Sequence, residues 1–167
     1  TNHRFHFLAR GQGAIRLSTA FDPIALYGDD PAASPDIYGR IGMSGVSVAT
    51  LDDFKRLYSG FDLCRPDTSV SMTINGPGPI ALACFLNSAI DQQVEKWLRN
   101  SGNWEQAEVL IKKLYRDSAR PAYRGDLPPG HDGLGLGLLG ISGADLVDVE
   151  TYRQIRSDTL TRLRGTL

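Results

Sequence analysis

Residues 68–79 read TSVSMTINGPGP, and the apolar run IALACFLNSAI follows directly at helical spacing. The unit is therefore strand, turn, helix, with NGPGP as the turn. Strands that feed helices belong mostly to parallel sheets with both faces covered. Here Val70, Met72 and Ile74 fall on one face, and Ser69, Ser71, Thr73 and Asn75 on the other. A covered face that carries a row of small hydroxyls restricts the fold more than any other feature of the chain.

The same division recurs upstream. GAIRLSTAFD reads as a strand with Ile15, Leu17 and Thr19 on one face and Arg16 and Ser18 on the other. PIALYGDDPAASPDIYGRIG is a turn-rich loop, in which Tyr27, Asp29 and Asp30 serve the turn rather than catalysis. GVSVAT reads as a further short strand, Val46 and Val48 opposite Ser47, and LDDFKRLYSG as a helix. Thr50 is its N-cap, Asp53 lies three residues on, and Gly60 is its stop. A helix from about Pro79 to Arg99 completes residues 1–100. Residues 101–163 read as an insertion: an amphipathic helix in NWEQAEVLIKKLYRD, a Pro- and Gly-rich loop, and a helix in DLVDVETYRQIRSDTLTRLRG. Residues 164–167 begin the next strand.

This order predicts an α/β fold: a partial (β/α)8 TIM barrel, about its first three to four strands, with a helical insertion. A doubly wound sheet would place apolar residues on both strand faces. A barrel with a small, polar inner face is partly hollow, and its hydroxyls would line a tunnel for something polar and elongated.

Bulk properties exclude other classes. The net charge of −1 gives no case for nucleic acid or an anionic membrane surface. No apolar run approaches the roughly 20 residues that span a bilayer, and the start lacks a signal-peptide core. Cys64 and Cys84, the two cysteines, read as free thiols in a reducing cytoplasm. His3, His6 and His131 lack metal-ligand spacing, so no metal site is assigned. GHDGLGLGLLG is a loop rather than a dinucleotide fingerprint, because no strand precedes it. The absence of an initiator Met and the ending RGTL suggest a piece of a longer chain.

The blocks RLSTAFD, YGDDP, GRIGMSGVSVATLDDFKRLYSGFDL and TSVSMTING together resemble the substrate barrel of the adenosylcobalamin-dependent acyl-CoA mutases, the methylmalonyl-CoA mutase family. PDIYGRIGMSGVSVATL, the insertion and GHDGLGLGLLG are most similar to the fused isobutyryl-CoA mutase branch. The resemblance covers essentially the whole chain, and in that family the pantetheine arm of the acyl-CoA threads the barrel axis. It implies that Ser18, Ser71, Thr73 and Thr166 contact acyl-CoA substrate, and that Phe21 and Ser44 face the cobalamin. Many methylmalonyl-CoA mutases carry alanine at the position of Ser44. The family's active-site histidine, its substrate-discriminating arginine or glutamine, its corrin-stacking aromatic and its Asp-x-His-x-x-Gly cobalamin domain fall outside these residues. No GxxxxGK[ST] occurs either, although fused members carry a GTPase domain.

The resemblance thus implies an isomerase whose adenosylcobalamin supports a radical carbon-skeleton rearrangement, isobutyryl-CoA to n-butyryl-CoA. Its partners would be the rest of the barrel and the cobalamin domain, in a homodimeric, cytoplasmic parent. This fragment would be inactive by itself. The alternatives are a methylmalonyl-CoA mutase and a non-catalytic acyl-CoA-binding half-barrel. The open edge and uncovered helix faces of an incomplete barrel would promote association of the isolated piece.

Overall fold

Three parallel strands form the sheet, in the order β1 (Ile15–Ala20), β2 (Thr68–Thr73) and β3 (Gly165–Thr166). The computed structural model describes residues 1–32, 39 and 41–167. All of the PDIYG block except Gly39 lies outside them. Ile15 pairs with Thr68 and Ala20 with Thr73, while Val70 and Ser71 pair with Gly165 and Thr166. A parallel pair needs a long crossover. The first contains α2 (Pro23–Tyr27) and α3 (Leu51–Tyr58). The second runs through α4 (Gly78–Asn100), α5 (Trp104–Leu114) and α6 (Val149–Arg162). An α/β arrangement with a small parallel sheet is what the sequence led us to expect of a partial barrel.

Thr50 and Asp53 form the expected capping box at α3: each side chain takes the other residue's backbone N–H. That box also explains a correction. GVSVAT is not a strand; only Val46 bridges, to Phe21, donating to Ala20 O and accepting from Asp22 N. The Asp53 carboxylate takes the Ala49 and Thr50 N–H groups at 3.0 Å each, so those amides have no ladder to join. The described sheet accordingly has three strands.

A second correction is α1 (Asn2–Ala9), which sequence reading missed. It lacks a side-chain cap bond and is held by tertiary contacts. Asn2 Nδ2 donates to Leu57 O and Ser59 O, and Phe5 enters the core.

The core lies on one side of the sheet. Leu17, Val70 and Met72 pack with Phe54, Leu57 and Tyr58 of α3 and Ala81, Phe85 and Ala89 of α4. Each such large apolar side chain contributes roughly 1.5–3 kcal/mol on burial. Thr19, on this buried face, shares a hydrogen bond with the Tyr58 hydroxyl at 3.0 Å. Burial pushes the Tyr58 phenol up to about 12, the Thr19 bond opposing it.

A second cluster joins Ile90, Val94 and Leu98 of α4 to Ala107 of α5 and to Leu138. Here residues 134–143 lie along the outer side of α3 and α4, fixed by buried charge. Lys55, 2% exposed, donates to Leu138 O and Ile141 O at 2.8 Å and faces Asp91 Oδ2 at 2.8 Å. Asp91 Oδ1 accepts from Gly143 N, Asp52 from Gly140 N, and Glu95 Oε2 from Gly135 N and Gly137 N. The glycine-rich motif thus presents its amides to carboxylates of the protein itself. Among the described residues, no helix is long and apolar enough to cross a membrane.

Candidate functional site

The strand face opposite the core is open. Arg16, Ser18, Ala20 and Thr73 are exposed, and Ser69 and Ser71 are half-buried. Parallel register places Ser18 beside Ser71 and Ser71 beside Thr166. Strands lie about 4.8 Å apart, so these three residues form a row roughly 10 Å long across the sheet. Thr166 Oγ1 donates to Ser71 Oγ at 3.1 Å. Thr73, beside Ala20, extends the polar face one step toward the C-terminal ends of the strands.

The difference between the two faces is chemical as well as steric. Thr19, on the core side, has its hydroxyl satisfied internally, whereas the outward hydroxyls retain free capacity. A Ser or Thr hydroxyl can both donate and accept. A row of them can therefore serve amide N–H and C=O groups that pass over the sheet.

Beside this face runs a groove of about 670 Å³, walled by α1 and the near edge of β1. Ser18 lines it from the strand, Ser44 closes one end, and Arg4 and Arg16 add two cations. Ser44 sits in the segment 42–46, beside the strongly exposed Met43. Phe21 is different: its ring is 3% exposed, 5.9 Å from Phe54, and belongs to the core. The apolar neighbours of Phe21 favour that placement, and its ring does not line the groove.

The other singled-out residues lie away from this face. Asp29 and Asp30 are exposed just past Gly28, the left-handed cap of α2. The three histidines gather at α1: His6 and His131 have ring centroids 4.8 Å apart, and Tyr123 stacks with His3 and meets His131 edge-on. Gly133 N donates to His131 Nδ1, so His131 Nε2 carries the proton toward Ser59 Oγ. His6 donates to Ser59 O. Burial holds both imidazoles below the ordinary histidine range, helped at His131 by the neighbouring His6.

Sequence reasoning missed Arg4 of the groove, because it missed α1. It also passed over Asp22, whose place just after a strand gave no sign of its two backbone partners.

With this geometry in hand, similarity to known proteins becomes informative. The family model described as Methylmalonyl-CoA mutase matches residues 1–120. The chain is 69% identical over 96 residues to the fused isobutyryl-CoA mutase of Geobacillus kaustophilus, covering 58% of this chain and 9% of that protein. It is 60% identical over 129 residues to the fused isobutyryl-CoA mutase of Cupriavidus metallidurans, covering 76% and 12%. Against the methylmalonyl-CoA mutase large subunit of Porphyromonas gingivalis it is 40% identical over 110 residues, covering 65% and 15%. The chain thus spans less than a sixth of the length of these curated relatives. A match over 120 of 167 residues makes the chain a member of the methylmalonyl-CoA mutase family.

Proposed function

We infer that this chain is the opening part of the substrate barrel of an adenosylcobalamin-dependent acyl-CoA mutase that converts isobutyryl-CoA to n-butyryl-CoA. The observation that carries the reading is the register row Ser18–Ser71–Thr166, open on a sheet whose other face is packed. In the complete (β/α)8 barrel this face turns inward. The pantetheine arm has two amides along an extended chain, and the row offers donors and acceptors across that path. Each hydroxyl bond contributes roughly 0.5–1.5 kcal/mol of binding. Small side chains leave the bore open while excluding bulk water.

The choice of isobutyryl-CoA rests on identities of 57–69% to four fused isobutyryl-CoA mutases, against 34–40% to methylmalonyl-CoA mutase large subunits. The two free thiols accord with a cytoplasmic protein.

The residues present fit the cofactor in part. Exposed Met43 and Ser44, at the end of the groove, suit the edge of a broad, flat ligand. Phe21 could act only by supporting β1 from the core side. None of the three histidines lines this groove. When bound, adenosylcobalamin supplies the radical through homolysis of its cobalt–carbon bond. This chain would hold the thioester arm, set its depth, and keep water from the reacting carbons.

The test uses the full-length protein with adenosylcobalamin and each acyl-CoA in turn, products being separated by chromatography. Isobutyryl-CoA should give n-butyryl-CoA, with little turnover of methylmalonyl-CoA. Turnover of methylmalonyl-CoA alone would overturn the substrate assignment, and activity on neither would overturn the mutase reading.

A further inference from the structure

The segment 42–46 reaches the end of β1 on an unusual support. Ile15 N bonds to Asp67 O on the β2 side. Backbone groups alternate along a strand, so the even residues of β1 turn to its other edge. There Ala20 O accepts from Val46 N, and Asp22 N donates to Val46 O. Segment 42–46 therefore covers the C-terminal end of the free edge of β1, and carries Ser44 to the groove.

One residue fixes this arrangement. Asp22 is 1% exposed and no cation pairs with it among the described residues. Its carboxylate divides between two chain segments: Oδ1 accepts from Ala25 N at 3.0 Å, Oδ2 from Gly42 N at 2.9 Å. The first bond caps α2; the second pins the far segment. Gly45 completes the fit, because a Cβ there would lie 2.4 Å from the Phe21 carbonyl carbon.

A helix cap alone does not require a carboxylate. Asn and Ser cap about as well as Asp. Here the two N–H groups, from separate segments, reach different oxygens of the side chain, and at this reach only the carboxylate supplies two acceptor oxygens. We propose that Asp22 is a positioning residue of the mutase: by sharing its carboxylate between the Ala25 and Gly42 amides it sets the height of Ser44 at the mouth of the hydroxyl-lined groove. This rests on the proposed function for its catalytic meaning, but not for the staple itself.

The substitutions Asp22→Asn and Asp22→Ser separate the two bonds. Each keeps one acceptor for Ala25 N. Asn then turns an amide donor toward the Gly42 donor, and Ser does not reach it. Hydrogen exchange of the full-length, cofactor-free protein should show peptides covering residues 41–46 exchanging at least tenfold faster in both variants. Peptides from β1, α2 and α4 should be unchanged. In the same variants the Kd for adenosylcobalamin, read from its absorption spectrum, should rise at least fivefold, while KM for acyl-CoA moves less than twofold. Unchanged exchange at 41–46 would overturn the staple. Faster exchange throughout β1 and α2, with Kd and KM rising together, would reduce Asp22 to a structural role and overturn the positioning. Faster exchange confined to 41–46 with an unmoved Kd would likewise overturn the positioning. If the unsubstituted protein takes up no adenosylcobalamin, the mutase reading fails and the positioning role with it; the exchange result then still decides the staple.

Discussion

Glu95 offers the most direct measure of what holds the loop 134–143 to α4. It is 1% exposed, five residues before the end of α4, and Oε2 accepts from Gly135 N at 2.9 Å and Gly137 N at 3.1 Å. Oε1 faces Arg99, which is half-exposed and can turn to water. Glu95→Ala would leave two backbone donors without a partner. An orphaned buried donor costs about 1–3 kcal/mol, so the loss should total about 2–6 kcal/mol. Hydrogen exchange at the Gly135 and Gly137 amides reads this directly, because their opening free energy sets the rate. The lower bound of about 2 kcal/mol corresponds to roughly 30-fold faster exchange. Glu95→Gln keeps a carbonyl oxygen for both amides and loses only the charge assistance, so its exchange should lie between the two. Exchange within threefold of the parent in Glu95→Ala would refute the carboxylate clasp. Equal effects of Ala and Gln would show that charge, rather than acceptor position, fixes the loop.

Four further outcomes are expected. Ser71→Ala with Thr73→Val should weaken acyl-CoA binding by about 1–3 kcal/mol in a titration, two bonds at the usual value, with the melting temperature unmoved. Thr50→Ala should cost about 1 kcal/mol in denaturant unfolding, through loss of the α3 capping box. Because burial lowers the His6 and His131 pKa values, the unfolded chain binds more protons near pH 6. Stability should therefore decline as pH falls through about 6.5, and His131→Ala should flatten that decline in melts at pH 5.5 and 7.5. Burial raises Asp62, but Lys96, the Cys64 amide and Gln93 outweigh it and leave its carboxyl below the usual range. Its contribution is thus present above about pH 4 and lost as pH falls further, and Lys96→Met should shrink that acid loss in pH-dependent unfolding.

The parts legible in the sequence were those fixed by short-range chemistry. Alternation marked β1 and β2, and Thr50 and Asp53 marked the start of α3 because a capping box is local. Helical periodicity found α4, α5 and α6. The hydroxyl face was legible for the same reason, since alternation assigns a face without knowledge of the neighbour. What remained hidden depends on distant partners. The eight residues of α1 owe their helix to Asn2 and Phe5 meeting α3 and the core, not to a cap. GVSVAT had the alternation of a strand, but the Asp53 carboxylate took its last amides. The run Asp91, Gln92, Gln93, Glu95 would suit a solvated helix face, yet all four residues are buried. Asp91 and Glu95 are satisfied by amides of the loop 134–143, Gln92 by Leu63 N and Tyr58 O, and Gln93 by Asp62 and Arg162, and nothing local announces these distant partners.

The placement of that loop constrains where substrate preference can arise. Its anchors, Asp52, Lys55, Asp91 and Glu95, are distinct from the residues of α3 and α4 that pack on the sheet. The hydroxyl row lies on the opposite sheet face, beyond the layer of Leu17, Val70 and Met72. Under the proposed function, a pantetheine arm that crossed Ser18, Ser71 and Thr166 would lie on the sheet face opposite that core. No residue of the loop 134–143 lines the groove beside that face. Discrimination between a methyl and a carboxylate substituent is a matter of a few groups in contact with it. Under the proposed function, those groups would belong to the inner face and rim of the complete barrel. The loop 134–143 instead serves α3 and α4, its backbone groups meeting Asp52, Lys55, Asp91 and Glu95 around the buried Lys55–Asp91 pair that joins the two helices behind the strands.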